Sequence, residues 1–278
     1  MRVFKKDIAL GICLVLVSFL LPLFKIGNEL GTLVSATSTV FAIVAGFFIA
    51  DAMSNYLRLQ TLIAEENASL ISIADTARKI GDNKSESVHQ AIDQYMIAQL
   101  NLGTLGHVFQ TEKEVDRIET AINALAVGPE EKEYLERILD MKDKIISCRQ
   151  EISLAAKNNL TTGHWIVLIT LAVLMITTIL AIRDGSMLMS LIVSLIIIGT
   201  QAVLVLLREM DNNHLLEKKL AYENPREVFH AVSQPPYYPH FSPLYSRLPN
   251  EAGLYRLGRE DMSREKSWDV VEVLKSKA

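Results

Sequence analysis

The stretch GTLVSATSTVFAIVAGFFIADAMSNYLRLQTLIAEENASLISIADTARKIG (residues 31–81) decides the fold of this chain. It has no charge before Asp51, and about 20 residues rising 1.5 Å each match the roughly 30 Å hydrocarbon core of a bilayer. Beyond Asp51, apolar residues recur at the three- and four-residue spacing of a coiled-coil seam. This seam comprises Leu59, Ile63, Leu70, Ile73, Ala77 and Ile80. The stretch therefore predicts one unbroken helix that begins inside a membrane and ends outside it.

Three further apolar blocks, at residues 8–24, 165–182 and 187–207, are each long enough to span a bilayer. Half of the chain is hydrophobic and the mean hydropathy is +0.22, with the excess concentrated in these blocks. Because lipid cannot satisfy exposed backbone groups, each block is predicted to be a helix. The first block has no signal-peptidase site after it, so it is interpreted as a retained anchor. The predicted fold class is all-α, a polytopic membrane protein with four transmembrane helices and a cytoplasmic helical bundle.

Basic residues near the segment ends predict the orientation. Arg2, Lys5, Lys6 and Arg208 mark the sides expected to be cytoplasmic. The expected location is the inner (plasma) membrane, as a multi-pass protein with cytoplasmic N-terminus, central bundle and C-terminus. The predicted parts are the first transmembrane helix with its connection (1–32), the second transmembrane helix (33–52), the bundle (53–163), the third and fourth transmembrane helices (164–208) and the tail (209–278).

A second seam in the central region predicts the partner of the first. It comprises Ile138, Met141, Ile145, Cys148, Ile152 and Ala155. The two seams must run antiparallel, because one leaves the membrane and the other returns to it, and the bundle is expected to form around them.

The second transmembrane helix has two distinct faces. Small residues allow close helix packing and are expected to face other helices: Ser35, Thr39, Ala42 and Gly46. The opposite face leads to the membrane exit and supplies the candidates for a pore lining: Thr37, Phe41, Val44, Phe48 and Asp51. Aromatic rings are also common on lipid-facing surfaces, so Phe41 and Phe48 have two possible environments, a pore or the lipid.

Polar residues at apolar positions mark three further points of interest. Thr200 and Gln201 lie inside the fourth span, where helix–helix hydrogen bonding and pore lining are both possible roles, the first being the commoner. Glu66 occupies a seam position, where it either pairs with a cation from a neighbouring helix or forms a polar layer that sets register. His164 directly precedes the third span, where a polar residue at headgroup level is expected, and Trp165 opens the span and fits an interface anchor.

The tail contains a short segment that neither a helix nor a central strand can pass through, Pro235-Pro236-Tyr237-Tyr238-Pro239. It has the letters of a ligand for a WW-type groove. The simpler interpretation is a rigid strap that lies on the bundle with its tyrosines buried. An irregular segment around residues 245–257 and a final amphipathic helix from Ser267 to Leu274 are expected to follow.

Several chemistries are not indicated. Phosphate-binding glycine loops, HExxH and CxxC are all missing from the sequence, so we expect no enzyme, no cofactor and no metal site. The net charge of -4 without a clustered basic surface argues against nucleic acid as a partner. Cys13 lies in a membrane segment and Cys148 in the bundle, so no disulfide is expected.

Two membrane helices, a helical insertion, two more membrane helices and a tail resemble the plan of the bestrophin-like membrane proteins, including bacterial members. The residues that carry the resemblance are GFFIADAMSNYLRLQTLIAEENASL (46–70) and Trp165. The resemblance implies an oligomeric channel whose second segment lines an axial pore, constricted at Phe41, Val44 and Phe48. The tail has no acidic calcium clasp, so calcium gating is not implied.

Two hypotheses about function follow. The first is a homo-oligomeric ion channel that passes a small ion, with the lipid bilayer and sister subunits as its partners. The second is a non-conducting scaffold or signal transducer that acts through its cytoplasmic helices and its Pro/Tyr-rich tail. The few ionisable groups inside the spans favour the second hypothesis, since transporters usually keep some there.

Overall fold

The computed structural model describes residues 30–102, 107–157, 160–182, 186–211, 225–239, 254–259 and 270–275. The predicted first span at residues 8–24 lies outside the described residues, so the structure does not test the count of four spans. Among the described residues, three helices are long and apolar enough to cross a membrane, within Gly31–Ile80, Pro129–Ala181 and Met187–Asp211. The chain divides into two compact units, here named the membrane unit (1–56 and 159–214) and the polar unit (57–158 and 215–278).

Helix α1 spans Leu30–Ile80, 51 residues without a break, which confirms the predicted single helix. It ends at Gly81, whose φ of 145° is a conformation that side-chain-bearing residues rarely adopt. All six seam residues between Leu59 and Ile80 are buried, as the spacing predicted. Residues 30–56 of α1 belong to the membrane unit and the remainder belongs to the polar unit.

The membrane unit also contains helices α5 (Thr162–Ala181) and α6 (Met187–Asp211). Their β-branched and leucine-rich sequences are apolar on all sides, as expected for helices in lipid. One face of each packs inside the unit, and the others expose large apolar side chains such as Leu188 and Leu195. The buried core of the unit comprises Phe41, Ala45, Leu168, Ala172, Met175, Ile179, Val193, Ile197 and Leu207.

The polar unit packs helices α2 (Asp82–Leu102), α3 (Glu112–Asn123) and α4 (Lys132–Lys157) against the second part of α1. Short 3-10 turns at His107–Phe109 and Pro129–Glu131 precede α3 and α4. Ion pairs show the antiparallel pairing of the two seams, since Arg58 meets Glu151 and the later residue Glu65 meets the earlier residue Lys144. The predicted antiparallel arrangement is therefore confirmed.

The tail adds a six-residue helix and a small sheet to the polar unit. Helix α7 (Arg226–Ala231) is followed by strands β1 (Tyr237–Tyr238), β2 (Leu254–Arg259) and β3 (Val270–Lys275). Strand β2 pairs in parallel with β1 and antiparallel with β3.

This sheet corrects two predictions. The final helix predicted from Ser267 to Leu274 is wrong over its described part, because VVEVLK forms strand β3, and part of the segment predicted to be irregular forms β2. The β-branched valines suit a strand, and pairing with β2 outweighs the helical spacing. The described part of the chain is predominantly helical, so the all-α class is confirmed, and the three short strands are confined to the tail.

Candidate functional site

The first part of α1 has one face that packs inside the membrane unit. Thr37 and Phe41 are buried there, 7% and 6% exposed, and Val44 and Phe48 are half-buried against the same core. The Thr37 hydroxyl donates to the carbonyl oxygen of Leu33 at 2.9 Å, so its polar group is satisfied within the helix. These are four of the five predicted pore candidates, and all four lie on the face of α1 that packs within the subunit.

The opposite face of α1 is exposed in the single subunit. Phe47 is 71% exposed and Ile43 is 54% exposed, and Asp51 follows them at the same four-residue spacing. Residues four apart lie on one side of a helix, so these three form a continuous ridge. The small residues Ser35, Thr39, Ala42 and Gly46 are also exposed, beside this ridge. A Cβ atom added at Gly46 would meet nothing within 4 Å.

One end of the membrane unit is held by a single carboxylate. Asp211, the last residue of α6, accepts hydrogen bonds from the Leu160 backbone N–H at 2.7 Å and from the Trp165 indole N–H at 2.9 Å. The neighbouring His164 ring lies 5.1 Å from the Phe48 ring, measured between centroids. His164 therefore contacts an aromatic ring of α1.

The polar groups within the spans bond mainly to their own helices. Thr200 is buried, and its hydroxyl donates to the carbonyl oxygen of Ile196 at 2.8 Å. Gln201 is half-buried in the subunit. The hydroxyl of Ser194 likewise donates to the backbone carbonyl oxygen of Ser190, four residues earlier. Because such a hydroxyl already donates to a carbonyl oxygen of its own helix, placing it in the membrane costs little free energy.

A buried polar layer crosses the polar unit at Glu66, whose side chain is fully buried. The Tyr95 hydroxyl donates to Glu66 Oε1, and Arg149 Nη1 lies 4.0 Å from the same oxygen. Arg149 also donates to the Tyr95 hydroxyl at 2.7 Å and to Thr111 Oγ1 at 3.0 Å. Burial and the Glu66 charge raise the pKa of Tyr95 well above its ordinary value. A cation from a neighbouring helix therefore reaches Glu66, as one of its two predicted roles requires, and Tyr95 and Thr111 complete a polar layer around the pair.

The tail strap is buried against the polar unit. Tyr237 and Tyr238 are 0% and 2% exposed, and the Tyr237 hydroxyl donates to Asn101 Oδ1 at 2.8 Å. Arg256 donates to both carboxylate oxygens of Asp93, at 2.7 and 2.5 Å. In this state the two tyrosines are not presented to a partner protein.

Metal-ligating side chains and thiols are further groups that could support chemistry. Among the described residues, no three His, Cys, Asp or Glu side chains come together as a metal site. Cys148 is buried, and burial together with the nearby charges of Glu65 and Glu66 raises the pKa of its thiol. Its sulfur lies 3.9 Å from a carboxylate oxygen of Glu65.

Sequence reasoning missed three residues that organise these sites. Arg149 could have been found, because Glu66 needs a cation and Arg149 follows the seam residue Cys148 on the antiparallel helix. Asp211 and Asp93 carry no such signal. The residues beside each one do not indicate its partner, which is 46 or 163 positions away in sequence.

The sequence model of one protein family, described as the Bestrophin-like domain, matches residues 28–213, which is more than half of the chain. No curated protein sequence matches the chain. The family match covers all the described membrane helices and helices α2 to α4 of the polar unit, and it ends at residue 213, before helix α7.

Similar solved structures agree in fold. A variant of a bacterial bestrophin homologue from Klebsiella pneumoniae has a TM-score of 0.63 at 10% identity, over 83% of this chain and 99% of that one. Another solved membrane-protein variant has a TM-score of 0.62 at 12% identity, over 83% of this chain and 98% of the other. At such low identity the likeness concerns the fold alone.

Proposed function

The chain is a membrane protein that belongs to the bestrophin-like family, and from this premise we propose that it is the subunit of a homo-oligomeric ion channel. In this proposal the first part of α1 from each subunit surrounds a central axis and lines the pore. The observation that carries the proposal is the division of α1 into a face packed within its own subunit and an opposite face left exposed. A helix that lines a pore needs both faces, because one packs against its own subunit while the other borders the pore.

The burial pattern moves the proposed pore lining from one face of α1 to the other. Side chains packed in their own subunit, such as Phe41, cannot also project into a central pore. We therefore assign the lining to the ridge of Ile43, Phe47 and Asp51, and of the original candidates only Asp51 keeps its role. The small residues Ser35, Ala42 and Gly46, beside the ridge, are assigned to close contact with the neighbouring subunit.

The ridge suggests how the pore controls ions. Rings of Ile43 and Phe47 would form an apolar constriction, a kind of gate that closes by losing its water. A ring of Asp51 carboxylates at the end of the constriction would raise the local concentration of cations there. Replacing Asp51 by asparagine should therefore change the ratio of cation to anion permeability more than the stability of the protein.

Conductance of the purified full chain in planar bilayers tests the proposal. We expect current from the wild type, and a changed conductance for Phe47→Ala but not for Leu195→Ala, a matched control that is 60% exposed on α6. Absence of current from correctly assembled protein would refute the channel. Current that is indifferent to Phe47→Ala would refute the assigned lining.

The location and orientation remain part of the proposal. The basic residues beside the spans favour the inner (plasma) membrane with both termini and the polar unit in the cytoplasm. The alternative of a scaffold that binds partners through Tyr237 and Tyr238 has less support, because both rings are buried.

A further inference from the structure

A group of side chains in the membrane unit holds the first turn of α5 in place. Asp211 bonds both the backbone before this turn, at Leu160, and the indole of Trp165 within it. Both carboxylate oxygens are used, with donor distances of 2.7 and 2.9 Å. Charge-assisted bonds of this kind are strong where water is scarce. The end of α6 is thereby tied to the start of α5.

His164 connects this tie to α1. Its Nδ1 accepts a hydrogen bond from the Thr161 backbone N–H at 3.3 Å in a capping box, a long bond at the exposed start of α5. The ring then contacts Phe48, with the two ring centroids 5.1 Å apart and the ring planes tilted by 45°, a separation typical of aromatic pairs. Phe48 directly precedes Ile49 on the packed side of α1, and its other neighbour is Phe47 of the exposed ridge.

We infer that Asp211, His164 and Phe48 form a positioning clasp that sets the rotation of α1 about its own axis. Successive residues of a helix are about 100° apart, so the direction of Phe48 determines the direction of Phe47. The inference rests on the proposed function, in which Phe47 faces the pore. None of the three clasp residues lines the pore, so each acts as a positioning residue.

Currents of matched variants test the clasp. We expect His164→Ala and Asp211→Ala each to change the conductance or the open probability roughly fivefold, as couplings through packed residues typically do. His164→Phe keeps an aromatic ring against Phe48 and should behave as wild type. Because both alanine variants release one clasp, the double variant should show no more than the single effect. Ile169→Ala, on the exposed side of α5, should have no effect.

A thiol-labelling measurement tests the clasp without relying on current. In full-length protein with Cys13→Ser and Cys148→Ser, a water-soluble methanethiosulfonate reagent labels a cysteine placed at Phe47 or, separately, at Val44. The clasp predicts that His164→Ala lowers the ratio of the Phe47→Cys to the Val44→Cys labelling rate severalfold, and that His164→Phe does not.

The outcomes separate the two proposals. If the wild type carries no current but the labelling ratio falls in His164→Ala, the channel is refuted and the clasp is supported. If the protein conducts but neither its current nor its labelling ratio changes in His164→Ala, the clasp is refuted and the channel is supported. Equal damage by His164→Phe and His164→Ala would also overturn the clasp, since the aromatic contact would then not be the cause.

Discussion

The membrane unit and the polar unit keep their helices in place by different means. The core of the membrane unit is apolar, and most hydroxyls within its spans bond to their own helix. In the polar unit, long-range side-chain bonds such as Glu66–Tyr95–Arg149 and Arg256–Asp93 cross between elements. In lipid, close packing replaces the hydrophobic drive, whereas in the polar unit buried charges must find partners. The polar unit should therefore be the more sensitive to single polar substitutions.

The largest effect is expected from removing the buried carboxylate of the polar layer. Glu66→Ala leaves the Arg149 guanidinium buried without its anion, which should lower the free energy of unfolding by about 3 to 5 kcal/mol. This change in the free energy of unfolding is measured by denaturant titration of the detergent-solubilised protein, from the unfolding transition of the polar unit. An apolar pair, Glu66→Leu with Arg149→Met, should recover most of the loss.

A surface ion pair is the control for this prediction. Arg58 and Glu151 are about half-exposed at 3.0 Å, so Arg58→Ala should change the stability by about 0 to 1 kcal/mol. If Glu66→Ala proves as mild as Arg58→Ala, the polar layer does not stabilise the unit in the way described here.

A second contrast between the units comes from two glycines. A Cβ atom at Gly258 would overlap the hydroxyl of the buried Tyr237 and lie 2.9 Å from its Cζ, whereas at Gly46 it meets nothing. Gly258→Ala should lower the stability of the polar unit by about 1 to 3 kcal/mol through overpacking.

The same substitution at Gly46 is the matched control. It should leave the unfolding of the polar unit unchanged and act, if at all, on subunit association, which cross-linking in detergent measures. Equal thermal shifts for the two alanine variants would contradict the assigned contacts.

A third prediction concerns the reactivity of Cys148. Burial and neighbouring carboxylates raise the pKa of its thiol, so less thiolate forms near pH 8 and alkylation should be about tenfold slower than in urea-unfolded protein. The rate should rise with pH, because the thiolate is the reactive form. Glu65→Gln removes one negative charge and should lower this pKa, giving faster alkylation. Alkylation by iodoacetamide in a Cys13→Ser background, read by mass spectrometry, would refute the assigned environment if folded and unfolded rates were equal.

The smallest expected effect is a gain in stability. Ser233 has a φ of 58° after helix α7, and the backbone N–H groups of Ser233 and Gln234 donate to His230 and Phe229. This is the position that glycine prefers in a helix C-cap. Ser233→Gly should therefore raise the stability by about 0.5 to 1 kcal/mol in a denaturant titration, and Ser233→Val should lower it. A loss of stability on Ser233→Gly would show that the serine side chain has a role of its own.

Local patterns were sufficient to predict much of this fold. Apolar length predicted α5 and α6, and the seam spacing predicted the continuation of α1 through Ile80 and its antiparallel partner. These features depend on each helix alone or on a simple repeat. Strand β3 could not be predicted in this way, because its pairing with β2 is a long-range contact.

The candidate site was harder to predict than the fold. The sequence distinguishes the small and large faces of α1, but it does not tell which face its own subunit covers. Phe41 and Phe47 are both apolar rings, and it is the packing within the membrane unit that separates them, with 6% of one and 71% of the other exposed. The partners of Asp211 likewise depend on how two helix ends meet.

A cysteine scan of α1 in conducting bilayers tests the central claim most directly. In a background of Cys13→Ser and Cys148→Ser, single cysteines at Ile43, Phe47 and Asp51 are compared with cysteines at Thr37, Phe41 and Val44. A charged methanethiosulfonate reagent should change the current of the first group and leave the second group unaffected, because the proposal places only the first group in the pore. Current changes confined to the second group would contradict the account.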